Sequence, residues 1–336
     1  MPKLLMVWSF KTIRWLLCIV GALALVLVAM VAMPLAHPPE LTSISQTARS
    51  VDRSTMPPLE GFAARDGTQL AYRHYPARGQ STGRVAILIH GSSGSSAAAH
   101  ALADALAAHG VDTFAPDIRG HGGSGTRGDI AYLGQLDDDM ADFVALVRKS
   151  APDAPITLLG HSAGAGFALR IASAPSPIRD LFARTVLLAP YLGYDAPTNR
   201  PQSGGWASAD LPRFFALAAM RRLGIDCCES LPTLAFAVPA NSSSILAPTY
   251  SYRLMRNFAT RGYRSDLAGV TKPLTLFAGA ADELMLADKY AEAVHAVLPS
   301  ADVRLLDGID HMGVVSTPSA VNAIAADVAT RGAAGS

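Results

Sequence analysis

With 336 residues, half of them apolar, the chain can bury one large core of about 250 residues with appendages to spare. A net charge of +1 leaves no basic excess to attract a polyanion, which excludes nucleic acid as the expected partner. No internal repeat is visible, and the abundance of arginine and alanine over lysine resembles the composition of bacteria with GC-rich DNA.

The first informative stretch is residues 15–33, WLLCIVGALALVLVAMVAM, which carry no charge. At helical rise they span about 28 Å, close to the hydrocarbon thickness of a bilayer. Lys3, Lys11 and Arg14 precede the segment and no charge follows until Glu40. The positive-inside rule then leaves residues 1–14 in the cytoplasm and the rest of the chain outside, across a bacterial inner membrane. The rival is a cleaved signal peptide, but its apolar region is normally shorter and residues 32–36 make a poor small-x-small cleavage site. The expectation carried forward is an uncleaved anchor over residues 15–33. Residues 34–58 are polar, bounded by prolines and without a usable apolar period. They read as a linker that lifts the following domain off the bilayer.

Two short runs, residues 61–64 and 70–75, flank Arg65-Asp66-Gly67-Thr68. The Asp-Gly pair predicts a hairpin at an antiparallel sheet edge. Residues 84–89 (RVAILI) predict the first fully buried strand, running into His90-Gly91-Ser92-Ser93-Gly94 and then a helix over residues 97–109. Residues 111–115 predict the next strand, followed by DIRGHGGS (residues 117–124) and an amphipathic helix over residues 133–149. Asp137, Asp138 and Asp139 sit near its start, where the helix dipole favours carboxylates, so they read as a solvated helix end and not a metal cluster.

Residues 156–172, ITLLGHSAGAGFALRIA, predict a buried strand, a turn punctuated by Gly160 and Gly164, and an alanine-rich helix. Ser162 falls at the apex of that turn. A side chain at residue 160 or 164 would collide with neighbouring backbone in so tight a bend. The geometry pushes the hydroxyl outward and aims the first free helix amide, that of Ala163, at any negative charge developing beside it. That is a nucleophile's setting, although GxSxG also arises by chance in a chain this rich in Gly, Ser and Ala.

Residues 185–189 predict another strand. The strand and helix pattern then breaks down until about residue 262, apart from an apolar helix over residues 210–223 with Asp210 as N-cap. Phe214, Phe215, Leu217, Met220 and Leu223 cover most of that helix, which suits it to line an acyl-chain pocket, to lie on a membrane, or simply to pack on the core. The same stretch carries Arg200, Arg213, Arg221, Arg222, Arg253, Arg256 and Arg261 against Asp195, Asp210, Asp226 and Glu229. The excess argues against a site that holds a substrate amine and would tolerate a phosphate or carboxylate. Cys227 and Cys228 are adjacent; they are read as two thiols, with a strained vicinal disulfide as the alternative. Asn241-Ser242-Ser243 is a glycosylation sequon that matters only in a eukaryotic secretory pathway. Residues 274–278 and 302–306 predict the last two strands, with helices over 287–298 and 318–330.

Three segments, HGSSGSS, DIRGHGGS and GHSAG, each just past a predicted strand and in this order, resemble the α/β-hydrolase superfamily, nearest its lysophospholipase and monoacylglycerol-lipase-like branch, the serine aminopeptidase S33-type hydrolases. The resemblance implies an α/β fold with a mostly parallel central sheet, helices on both faces and a lid insertion. It implies that the DxRGHGxS loop is structural, so His121 fixes a loop and is not a base, and that Ser92, with Ser93 as alternative, joins Ala163 in an oxyanion hole. A serine hydroxyl needs an imidazole to remove its proton, and the imidazole needs a carboxylate. Asp282 and His311 follow the last two predicted strands and complete the chain order Ser, acid, His. Glu283, Asp307 and Asp310 are the possible substitutes for the acid. His90 and His161 are expected to pack or hydrogen-bond beside the oxyanion segments, and His295 to be a surface residue. The expected organisation is core over residues 59–190, lid over 191–262 and core over 263–331. The expected activity is hydrolysis of carboxylic esters, first of monoacyl or lysophospholipid-like lipids, with no cofactor and no metal. A peptidase or amidase with the same triad, and an inactive binding protein, are the alternatives.

Overall fold

A computed structural model describes residues 2–175, 177–239 and 246–331; the sequon at Asn241 lies outside the described residues. The chain opens with α1 (Pro2–Ala32) and α2 (Thr42–Ser50), followed by β1 (Glu60–Ala63), β2 (Gln69–Tyr75), β3 (Val85–Ile89), α3 (His100–Ala108), β4 (Asp112–Pro116) and α4 (Gln135–Ser150). Then come β5 (Ile156–His161), α5 (Ala163–Ala172), β6 (Arg184–Leu188), β7 (Ala207–Ala209), α6 (Leu211–Arg222), β8 (Pro232–Phe236), β9 (Thr249–Ser251) and α7 (Tyr252–Asn257). The chain closes with α8 (Tyr263–Gly269), β10 (Leu274–Gly279), α9 (Tyr290–His295), β11 (Asp302–Leu306) and α10 (Pro318–Thr330).

Eight strands form one sheet in the order β1-β2-β4-β3-β5-β6-β10-β11. The β1-β2 hairpin is antiparallel and pairs antiparallel to β4; every other neighbour pair is parallel. All residues of β3, β5, β6 and β10 are buried. A strand with no exposed position must be covered on both faces, which is why these segments read as continuous Val, Ile, Leu and Ala runs. α3 packs against α10, and α5 against β5, β6 and α8. Parallel strands place the loops after β3, β5, β10 and β11 at one edge of the sheet, and all the candidate site residues lie on those loops.

Between β6 and α8 the chain builds a separate three-stranded antiparallel sheet, β7-β8-β9, with α6 and α7 beside it. This sheet was not expected. Asp210 caps α6 as predicted, accepting from the Arg213 amide at 3.0 Å. Only part of α6 is covered: Ala216 and Leu217 are buried, whereas Leu211, Phe215 and Leu223 are exposed.

The linker expectation for residues 34–58 is corrected. Residues 42–50 form α2, with Ile44 buried in the main hydrophobic cluster. The inward positions of α2 (Ile44, Ser45, Thr47, Ala48) repeat at helical spacing, but only two of the four are apolar, which hides the period from a hydropathy reading. Of the three aspartates at the start of α4, Asp137 and Asp138 stand partly exposed in its first turn as expected and only Asp139 differs. Asp137 binds Arg170, Asp138 binds Arg65, and Asp139 is buried in a 2.7 Å pair with Arg119. Among the described residues no group of His, Cys, Asp and Glu is arranged to hold a metal ion. Cys227 and Cys228 are free thiols with sulfurs 3.1 Å apart. Within α1, Phe10–Ala32 is long and apolar enough to cross a membrane by length and composition, and its side chains are exposed.

Candidate active site

Ser162 sits between β5 and α5 with φ of +55° and ψ of −119°. A non-glycine residue is held there only when its surroundings over-determine the turn. They do: a Cβ on Gly160 would lie 2.3 Å from the Gly164 carbonyl oxygen, and one on Gly164 would lie 2.2 Å from that of His90. The backbone carbonyl of Ser162 accepts from Ala165, Gly166 and Tyr191, which locks the turn from both sides.

Asp282 and His311 meet. The imidazole Nδ1 donates to Asp282 Oδ2 at 2.8 Å, and both side chains are almost fully buried. The other carboxylate oxygen accepts the amides of Leu284 and Met285, each at 2.8 Å. Burial alone would raise the Asp282 carboxyl; the His311 charge, the His311 hydrogen bond and the two amides outweigh it and hold the group below its ordinary value. An ionised acceptor fixes the proton on Nδ1 and leaves Nε2 free to take one. Ser162 and His311 line the same cavity. Among the described residues Ser162 Oγ makes no hydrogen bond, so the edge from imidazole to hydroxyl is open here; such contacts often tighten only around substrate.

The substitutes for the acid are otherwise engaged. Glu283 accepts the backbone amide of His311 at 3.0 Å, Asp310 accepts that of Gly313 at 2.5 Å, and Asp307 is exposed. Neither the amide of Ser92 nor that of Ala163 donates to a protein group among the described residues, leaving both free beside Ser162. The Ser93 amide is taken, donating to the Tyr250 hydroxyl at 2.8 Å, which removes it as the alternative. Ser92 Oγ accepts from Trp206 Nε1 at 2.9 Å.

His161, His90 and His121 each hold backbone beside the site. His161, in contact with the His311 ring, donates Nε2–H to the His311 carbonyl at 3.1 Å. Burial, with the neighbouring His311 charge, lowers it to about 3, so it stays neutral and holds the His311 loop in place. His90 accepts the Ile118 amide on Nε2 and donates Nδ1–H to the Gly91 carbonyl. His121 hydrogen-bonds Tyr250 through Nε2 and the Ile118 carbonyl through Nδ1. Asp117 accepts the amides of Ser96 and Gly123, tying the segment after β3 to the glycine loop after β4. His295 is exposed, as expected, and donates to the Ala301 carbonyl.

The cavity at Ser162 is open to solvent and has a volume of about 100 Å³. Its walls are largely apolar, with Trp206, Val238, Leu246, Leu284 and Met312 among them, and among the described residues no Asp, Glu, Lys or Arg lines it. Three arginines of the insertion are engaged elsewhere: Arg221 binds Glu229, Arg253 binds Asp129, and Arg200 donates to the carbonyls of Asp282 and Met285. Three contributors were missed by sequence reading, namely Trp206, Tyr250 and α2, because each reaches the site from a segment without a recognisable motif.

The chain is similar to known proteins at two levels. A monoglyceride lipase homolog from Monkeypox virus is 30% identical over 113 residues, 33% of this chain and 40% of that protein. The monoacylglycerol lipase of Mycolicibacterium smegmatis is 34% identical over 108 residues, 31% of this chain and 38% of that protein. These matches therefore span about two-fifths of the relatives' length. Among solved structures, a soluble variant of monoglyceride lipase from Saccharomyces cerevisiae, in complex with a substrate analog, superposes with a TM-score of 0.61 at 18% identity, covering 82% of this chain and 95% of that one. Monoacylglycerol lipase from Paleococcus ferrophilus does so with a TM-score of 0.57 at 17% identity, over 78% and 98%. At such identities the likeness concerns the fold. A family model described as serine aminopeptidase, S33, matches residues 80–313, and with most of the folded chain inside that match, the protein belongs to this family of α/β-hydrolases.

Proposed function

We propose that the protein is a membrane-anchored serine hydrolase that cleaves carboxylic esters of monoacyl-lipid type through an acyl-enzyme. The observation that carries the reading is the buried 2.8 Å bond between Asp282 and His311 at the wall of an apolar cavity shared with Ser162. In this reading Ser162 Oγ attacks the ester carbonyl as its proton passes to His311 Nε2. Asp282 holds the Nδ1 proton and stabilises the imidazolium, and the amides of Ser92 and Ala163 bind the oxyanion. His311 then returns the proton to the departing alkoxide. Water, activated by the same imidazole, releases the acid.

The apolar walls fit an acyl chain, and the lack of Asp, Glu, Lys and Arg among their described residues favours an uncharged head over a phosphate-bearing one. It also weighs against an aminopeptidase, which needs carboxylates to hold the substrate's ammonium. Anchoring rests on the apolar helix Phe10–Ala32; Lys3, Lys11 and Arg14, which precede its uncharged run over residues 15–33, favour a cytoplasmic amino terminus and a catalytic domain outside.

The test is labelling of wild type and Ser162→Ala with a fluorophosphonate, followed by hydrolysis of esters of increasing acyl length. Labelling lost in the variant and a rate that rises with chain length are expected. Persistent labelling would move the nucleophile elsewhere, and a steady preference for short chains would remove the lipid assignment.

A further inference from the structure

The helix between the apolar amino-terminal helix and the hydrolase core touches the candidate active site. Ile44, Ser45 and Ala48 of α2 line the same cavity as Ser162, His311 and Ser92. Ile44 is only 7% exposed, and Ala48 stands one turn further along the same helix face. The placement is tied at several points. The Leu41 amide donates to the Ala237 carbonyl at 3.0 Å, joining the start of α2 to the insertion. Thr47 Oγ1 reaches Asp310 beside His311 at 3.5 Å. Arg53 donates to the Ala48 carbonyl at 2.6 Å and, through Nε, to that of Ala97 at 3.4 Å. The helix is thus fastened to the insertion, to the loop carrying His311 and to the segment before α3.

From this arrangement we infer that α2 is a wall of the substrate cavity and that Ile44, with Ala48, sets the length of acyl chain the cavity admits. The inference rests on the ester-hydrolase reading above. Its physical basis is steric. The floor of the cavity is formed by the Ser162 turn and the loop after β3, both held by backbone contacts that leave no freedom to expand. The α2 side contributes Ile44, Ser45 and Ala48, one β-branched and two small residues. A larger group there intrudes directly on the space beside the nucleophile, and a smaller one enlarges it.

The experiment uses the full chain in detergent micelles and compares kcat/KM for p-nitrophenyl laurate with that for p-nitrophenyl butyrate. Taking the ratio within each variant cancels differences in the fraction folded. Ile44→Trp is expected to lower the laurate-to-butyrate ratio on the order of tenfold, since apolar pockets discriminate on that scale for small changes of volume. Ala48→Phe should shift it in the same direction, and Ile44→Ala in the opposite one. A change below about threefold in both enlarged variants overturns the inference while leaving the ester reading standing. Absence of hydrolysis that depends on Ser162, checked with Ser162→Ala in the same assay, sinks both.

Discussion

The hydroxyl of Tyr250, on β9 of the insertion, accepts the backbone N–H of Ser93 at 2.8 Å. Ser93 follows the expected oxyanion donor Ser92 and has a φ of +64°. Its carbonyl accepts from Ala247, so the insertion grips this peptide from both sides. The Tyr250 proton goes to His121 Nε2 at 2.5 Å. Burial, with the nearby His90 charge, holds His121 well below its ordinary value, so that nitrogen remains an acceptor.

Replacing Tyr250 by Phe strands a buried amide and a buried imidazole nitrogen. We expect a loss of about 1–3 kcal/mol in stability, read from denaturant melts. Loosening the Ser92 peptide should also lower kcat by about tenfold with KM little changed. An unchanged kcat would show that the grip on Ser93 does not orient Ser92.

Asp282→Asn keeps an oxygen for the amides of Leu284 and Met285 but removes the charge that fixes the His311 tautomer. The expected fall in kcat is about 10⁴-fold, with the fold intact. Steady-state ester hydrolysis and the rate of fluorophosphonate labelling should drop together. A loss of stability without a specific loss of rate would instead assign Asp282 a purely structural part.

Acid sensitivity follows from His161. Its folded-state value of about 3 lies below the ordinary 6.5, so between those limits the unfolded chain binds the extra proton. Stability therefore rises with pH across that window and is lost as pH falls from about 6.5 toward 3, by up to about 1.4 kcal/mol per unit for one buried histidine. Asp282 adds to the same slope lower down, because the stability from its depressed carboxyl is fully present above the unfolded value of 3.8 and is lost as pH falls through the lower folded one. His161→Gln, which retains a donor toward the His311 carbonyl, should flatten the dependence of thermal stability on pH between 6 and 4. An identical slope in the variant would refute the assignment.

Gly164→Ala forces a methyl to within 2.2 Å of the His90 carbonyl oxygen. Neither partner can yield, since one is the first turn of α5 and the other ends β3. A cost of at least about 3 kcal/mol is expected, visible as loss of soluble, cooperatively melting protein. If the Gly164→Ala protein folds well, the strand and helix are less closely apposed than described.

The residues brought together at the site were legible because each follows a parallel strand, buried in β5 and β10 and at the sheet edge in β11, and strand ends in such a sheet converge on one edge. The Gly160 and Gly164 requirement was readable for the same reason: it concerns backbone meeting backbone within a few residues. The insertion was opaque. β7 and β9 are three residues each, Ala-Ser-Ala and Thr-Tyr-Ser, too short for any alternation to register. α2 is fastened by contacts that no local pattern announces, from Leu41 to Ala237 and from Thr47 to Asp310. Asp139 looked solvated because its partner, Arg119, is 20 residues distant along the chain, beyond the reach of helical pairing rules.

Arg213 of α6 donates through Nε to the carbonyl of Val31 at 2.9 Å and through a second nitrogen to that of Met33. Those oxygens are among the ones that the end of α1 leaves unpaired, so the insertion itself serves as the stopper of the apolar helix. The globule is consequently not a balloon on a string. Turning it relative to α1 requires breaking that clasp, and any tilt of α1 pulls on the insertion whose Trp206, Val238 and Leu246 wall the cavity at Ser162.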